Sequence, residues 1–218
     1  MGIIGVVAAL TLPNLNSSTG DKEKVAKVKK IYSNLEDAYG RATAVYGPID
    51  EWIINDSTDV AKTKRISERM LEFMKTTKTG VDDNIYYANL ADGSYIDFSY
   101  NTPNYSSDTS SPLYNAYIGY IYVDIDGENK GQSLNGYDVF GFFITKQGIY
   151  PKGSRLDDYG KDDNALKTFC FAKTDGYYMD GEKCTAWIIE NGNMDYFKAT
   201  NGTCPNGTIL SWTNTTCK

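Results

Sequence analysis

The residues GIIGVVAALTL, Gly2 to Leu12, are almost entirely apolar, and directly after them Pro13 leads into a strongly polar stretch. A helix that is apolar on every side, not along one stripe, fits surroundings of protein or lipid all round. Crossing a bilayer takes about 20 apolar residues, and this run supplies roughly half of them. A secretory signal would carry a basic region before the apolar run and a small-residue cleavage site after it. Nothing basic precedes Gly2, and the run continues into TLPNLNSSTGDKEK. The stretch reads as the second half of a longer apolar helix.

The rest of the chain has the make-up of a folded domain outside the cytoplasm. Its 218 residues suffice for one domain with a sizeable core. Hydrophobic residues at 41% and charged residues at 23% argue against disorder. A net charge of −6 removes any whole-chain attraction to nucleic acid, which is not expected as the main partner. Tyrosine outnumbers phenylalanine, 18 to 8, a mix suited to aromatic surfaces with one wet side. All four cysteines, Cys170, Cys184, Cys204 and Cys217, lie after residue 169. That clustering reads as a disulfide framework in an oxidising compartment. No closely spaced Cys pair and no histidine is present to build a zinc site. Of three connectivities, Cys170 with Cys184 and Cys204 with Cys217 closes the shortest loops and is the expected one.

Along the chain, Val25, Val28, Ile31, Tyr32, Leu35, Ala38, Tyr39 and Ala42 recur at three- and four-residue steps, which predicts an amphipathic helix over 21–46. Asp21 and Glu23 would sit in its first turn, and Gly47-Pro48 would end it. Lys22, Lys24, Lys27, Lys29 and Lys30 form a basic cluster, read as a solvated face or as a contact for anionic headgroups or acidic neighbours. A second amphipathic helix is expected from about Val60 to Lys78. NIYYANLADGSYIDFSYN then reads as two strands around an Asp-Gly turn, and YNAYIGYIYVDIDG and GYDVFGFFITKQGIYP as further strands. CTAWIIENGNMDYFK reads as two short strands around Asn-Gly. Segregated helices and strands make the fold class α+β, a helix followed by an antiparallel meander and a disulfide-bonded tail.

GIIGVVAALTLPNL followed by a long amphipathic helix resembles the N-terminal segment of type IV pilins and type II secretion pseudopilins, with Gly5, Ala8, Ala9 and Pro13 as the matching pattern. YVDIDGENKGQSLNGYDVFGFFI is similar to a strand-loop-strand of a pilin-like subfamily, in which Asp124, Asp126, Gly127, Gly136, Asp138 and Phe140 match. Asp126 stands where that pattern has Asn, and its Pro-Asn pair is missing. The resemblance implies a pilin-like fold: a helix over residues 1–46, with 1–13 as its hydrophobic assembly or membrane part and 21–46 as its amphipathic part, and a globular head over 47–218. Ile3, Ile4, Gly5, Val6, Val7, Ala8, Ala9, Leu10, Leu12 and Pro13 would form the assembly helix, with the small residues permitting close helix approach. Pro13 would remove a backbone donor and loosen the helical ladder there.

The implied function is that of a structural filament subunit with an inner-membrane anchor and a periplasmic or extracellular head. Its implied partners are other pilin or pseudopilin subunits, the inner membrane before assembly, and prepilin peptidase acting on a leader. The family's cleaved glycine, methylated first residue and nearby glutamate would precede Met1, so the sequence is expected to be truncated at its start.

Chemistry is sparse. Without histidine, every Ser-His or Cys-His nucleophile arrangement is excluded. The pairs Asp157-Asp158 and Asp162-Asp163 in RLDDYGKDDN read as a solvated turn, and no enzyme is expected. No cofactor is expected, but Asp124, Asp126 and Glu128 alternate as calcium-loop ligands do and are the candidate metal ligands. Against that stand a glycine at the fourth place instead of the sixth and no glutamate at the twelfth. The alternative function is a minor pilin-like binding module, taking a glycan or DNA on Tyr-, Asn- and Ser-rich loops such as YNTPNYSSDTSSPLYNAY.

Overall fold

The computed structural model describes residues 3–82, 85–101, 109, 113–128, 130, 134–171 and 181–218, with the backbone alone for 3–18 and 182. Helix α1 spans Ile3–Tyr46, 44 residues. It runs through Pro13 and the polar residues after it, so no new helix begins at Asp21, and Asp21 and Glu23 lie in its interior. Nucleating a helix is costly and extending one is cheap, so a single proline need not break a helix already formed on both sides. Gly47, at φ +79°, ends α1 with its N–H on Thr43 O at 3.0 Å, and Trp52 Nε1 donates to Gly47 O at 2.8 Å.

After the short helix α2 (Ile49–Trp52), α3 spans Asp59–Leu71. Its N-cap is Thr58, whose hydroxyl accepts from Ala61 N at 3.2 Å. The expected helix thus stops well short of Lys78. The threonine-rich residues beyond it form strand β1 (Thr76–Asp82), in keeping with the strand preference of β-branched side chains.

Strands β2 (Ile85–Leu90), β3 (Tyr95–Tyr100), β4 (Tyr117–Asp124), β5 (Val139–Thr145) and β6 (Gly148–Pro151) follow, and all six form one antiparallel sheet in sequence order. The ADGS turn joins β2 to β3 with Gly93 at φ +87°. One face of the sheet carries Ala88, Ile96, Phe98, Ile121, Val123, Phe140, Phe142 and Ile144, all buried. The α1 stripe of Val28, Ile31, Leu35, Ala38 and Ala42 is buried in the same core. Tyr32 stacks on Phe142 with ring centroids 5.8 Å apart, and Tyr39 donates its hydroxyl to Thr145 O at 3.0 Å. Burying each large aliphatic of the stripe is worth about 1.5–3 kcal/mol.

The tail departs from its expected strands. Residues Asp163–Leu166 form α4, Lys167–Phe171 a π-helical turn, Gly181–Cys184 a 3-10 turn and Thr185–Asn191 helix α5. Asn191-Gly192 is not a hairpin tip. Gly192, at φ +67°, caps α5 and donates its N–H to Ile188 O at 2.9 Å. Trp187 and Ile188, adjacent on that helix, are fully buried, a pairing that alternation along a strand would have split between two faces. The disulfides join Cys170 to Cys184 and Cys204 to Cys217, as the shortest-loop reading expects.

Candidate functional site

The charged seam between α1 and the loops of the sheet is the candidate site. The basic cluster of α1 is divided by the helix's rotation. Lys22 and Lys29 are exposed, whereas Lys24 and Lys27 flank the buried stripe and are half-buried. Lys24 Nζ donates to Tyr137 O at 3.2 Å and lies 3.3 Å from the Tyr137 ring centroid. Lys27 Nζ reaches Asp92 O at 3.4 Å, and Lys30 Nζ stands 3.8 Å from the Asp92 carboxylate. Burial pushes Asp92 up, but hydrogen bonds from Ser94 and the charges of Lys27 and Lys30 outweigh it and hold the carboxyl below its usual range. Three lysines of the cluster therefore fasten α1 to the turns of its own head.

The acidic loop after β4 gives its three candidate ligands different surroundings. Asp124 Oδ1 accepts from the backbone N–H groups of Asp126 and Gly127, each at 3.2 Å, and so shapes the turn itself. Asp126 is half-buried with its Oδ1 lacking a hydrogen bond, and Glu128 is exposed. Asp138, at the far end of the loop, is 2% exposed, and its Oδ1 also lacks a partner. Burial raises the Asp138 carboxyl, and the nearby Lys24 ammonium opposes the rise. In return, burial lowers Lys24, with Asp138, Asp126, Asp21 and Asp124 opposing. Among the described residues, no group of three or more acidic, cysteine or histidine side chains is placed to hold a metal ion. Lys24 is a countercharge of the buried carboxyls of this loop. Lys24→Ala is expected to cost about 1–2 kcal/mol by leaving buried carboxylate oxygens without a cation. Calcium is expected to leave the melting temperature of the unaltered protein unchanged; a calcium-dependent rise in differential scanning calorimetry would favour Asp124, Asp126 and Glu128 as metal ligands.

Of the acid pairs read as a solvated turn, Asp157 is not solvated. It is 1% exposed, and it accepts from Gly153 N at 3.0 Å and Tyr159 N at 3.2 Å. Burial pushes it up to about 6, against those hydrogen bonds and the charge of Lys183. Asp157 folds the chain back on itself through these bonds and is enclosed by the turn it builds. Asp162 and Asp163 are exposed; Asp162 caps α4 through Ala165 N at 2.8 Å, and Asp163 accepts from Trp212 N at 2.8 Å. A further raised carboxyl, Asp97 on β3, is not singled out by the sequence; burial brings it to about 6. Only its place in the alternation of YIDFSY marks it as facing away from the core residues Ile96 and Phe98.

The side chains of the assembly segment, Ile3 to Pro13, lie outside the described residues, as do residues 102–108 and 110–112 of the tyrosine-rich loop. Among the described residues, no helix is long and apolar enough to cross a membrane. No protein-family model, curated protein or solved structure matches the chain.

Proposed function

We propose that the chain is a structural subunit of an extracytoplasmic filament, a type IV pilus or a type II secretion pseudopilus, that polymerises through the N-terminal part of α1. The observation that carries this reading is the unbroken helix. Among the described side chains, burial of α1 against the head begins at Val25, yet the helical backbone starts at Ile3. The intervening turns amount to about 33 Å of helix at 1.5 Å per residue, and their first part is apolar in sequence. A helix anchored at one end by a packed head and apolar on all sides at the other fits a place among other such helices. The head is held on α1 by the buried stripe and by Lys24, Lys27 and Lys30, so it would ride on the filament surface. The raised carboxyls Asp97, Asp138 and Asp157 lie in the packed fold and no histidine is present, so we assign no catalysis to the chain.

Shearing of native cells tests the reading. The chain is expected in the sheared filament fraction, and deletion of residues 3–13 is expected to remove it from that fraction while both disulfides still form. A chain absent from sheared filaments, or one incorporated equally well without residues 3–13, overturns the proposal.

A further inference from the structure

The C-terminal disulfide loop carries a motif that the filament reading does not use. Asn206-Gly207-Thr208 and Asn214-Thr215-Thr216 are both Asn-x-Thr sequons, and both asparagines lie between Cys204 and Cys217. Such a sequence has chemical meaning only on the surface of a protein outside the cytoplasm, and the two disulfides support that compartment. Both asparagines are exposed, but the structure uses them differently. Asn214 is built into its turn: its Nδ2 donates to Ile209 O at 3.0 Å, and its backbone pairs with Ser211 in both directions. Asn206 sits at the open tip. Its Oδ1 accepts from Thr208 N at 3.0 Å, which closes a tight Asx turn over the sequon. Its Nδ2 reaches the carbonyl of the exposed terminal residue, Lys218. A Cβ built on Gly207 meets no atom within 4 Å, so the turn stands clear of the head. Directly after the sequon, Ile209 is 62% exposed, so this end of the loop faces solvent.

We infer that Asn206 is an N-linked glycosylation site, with Thr208 as its sequon hydroxyl. The reaction is group transfer from a lipid-diphosphate-linked saccharide by a membrane transferase. A bond forms between Asn206 Nδ2 and the anomeric carbon while the bond from that carbon to the diphosphate oxygen breaks. The lipid diphosphate leaves with the electron pair, an amide proton passes to a base of the transferase, and nothing is oxidised or reduced. The site needs only an extracytoplasmic tail and does not depend on filament assembly.

The test is peptide mass spectrometry of the full chain purified from its native cells. The peptide holding Asn206 is expected to carry saccharide mass, with sugar fragment ions on dissociation. Asn206→Gln and Thr208→Ala are each expected to lose the increment completely, whereas Thr208→Ser and Asn214→Gln keep it. Non-reducing mass analysis of the variants confirms that the Cys204–Cys217 bridge has formed in each. A peptide found only at its unmodified mass overturns the assignment, and so does an increment that survives Asn206→Gln.

Discussion

Replacing Asp97 by asparagine is expected to change stability in a pH-dependent way, with the variant gaining on the parent as pH rises from 4 to 7. Asp97 faces Tyr87 on one neighbouring strand and Tyr122 on the other. Its Oδ1 is buried without a hydrogen bond. Burial raises its pKa from 3.8 to about 6, against a backbone hydrogen bond at Tyr122 and the charge of Lys152. Lys152 is itself 6% exposed, bonded to the Tyr122 hydroxyl at 2.5 Å and lying 4.1 Å from that ring's centroid. Between pH 3.8 and about 6 the folded chain holds a proton that the unfolded chain has released. Stability therefore falls as pH rises through that window, by about 3 kcal/mol for this one group. Asparagine does not titrate, so the difference between variant and parent should widen by the same amount. Urea denaturation at pH 4 and pH 7 reads it directly. A difference that stays constant between the two pH values would mean that Asp97 is ionised in the fold at both. Asp157, raised to about 6 by the same cause, adds to the parent's loss of stability in the same window.

Neither Asp97 nor Asp157 was legible as a raised carboxyl, and the reason is general. Asp157 and Asp158 are adjacent and chemically identical in the sequence, yet the first is 1% exposed and the second half-buried. Which acid a turn encloses depends on backbone geometry that composition does not carry. Lys24 was more accessible to reasoning. In the sequence it groups with its four neighbours as a solvated face or a contact for headgroups or acidic neighbours, but its place four residues before Val28 and seven before Ile31, at the end of the buried stripe, is the signal that sets it apart. The elements divide along the same line. The α1 stripe and the β2–β3 hairpin have strong periodicity and a turn that admits positive φ, and both were readable. Strand β1 is mostly exposed on both faces and has no alternation to read. Asn-Gly before residue 193 was misread because positive φ serves a hairpin turn and a helix C-cap equally well. Only the side-by-side burial of Trp187 and Ile188 separates the two.

Removal of the Cys170–Cys184 bridge, by replacing both residues with alanine, is expected to cost about 3 kcal/mol, and loss of both bridges about twice that. Each bridge closes a loop of similar length, with sequence separations of 14 and 13, so restriction of the unfolded chain contributes comparably from each. Their effects on the folded side differ. Cys170 and Cys184 are 1% and 0% exposed and bring the turn ending at Phe171 against the start of α5, where Phe171 meets Trp187 edge-on at 5.1 Å. Cys204 and Cys217 close the loop that carries Trp212, whose Nε1 donates to Gly160 O at 2.8 Å, while Cys217 N donates to Asp195 Oδ2 at 2.8 Å. For a chain of this size, 3 kcal/mol corresponds to about 6–12 °C in melting temperature. A total near 6 kcal/mol is comparable with the whole stability of a marginal domain, commonly about 5–15 kcal/mol. The fully reduced chain should thus unfold at far lower urea than the oxidised one, and loss of the first bridge alone should already weaken the near-ultraviolet dichroism of Trp187. Equal urea midpoints for oxidised and reduced protein would show that the tail packs without its bridges, whereas four free thiols in non-reducing mass spectrometry of the native protein would remove the main support for an oxidising compartment.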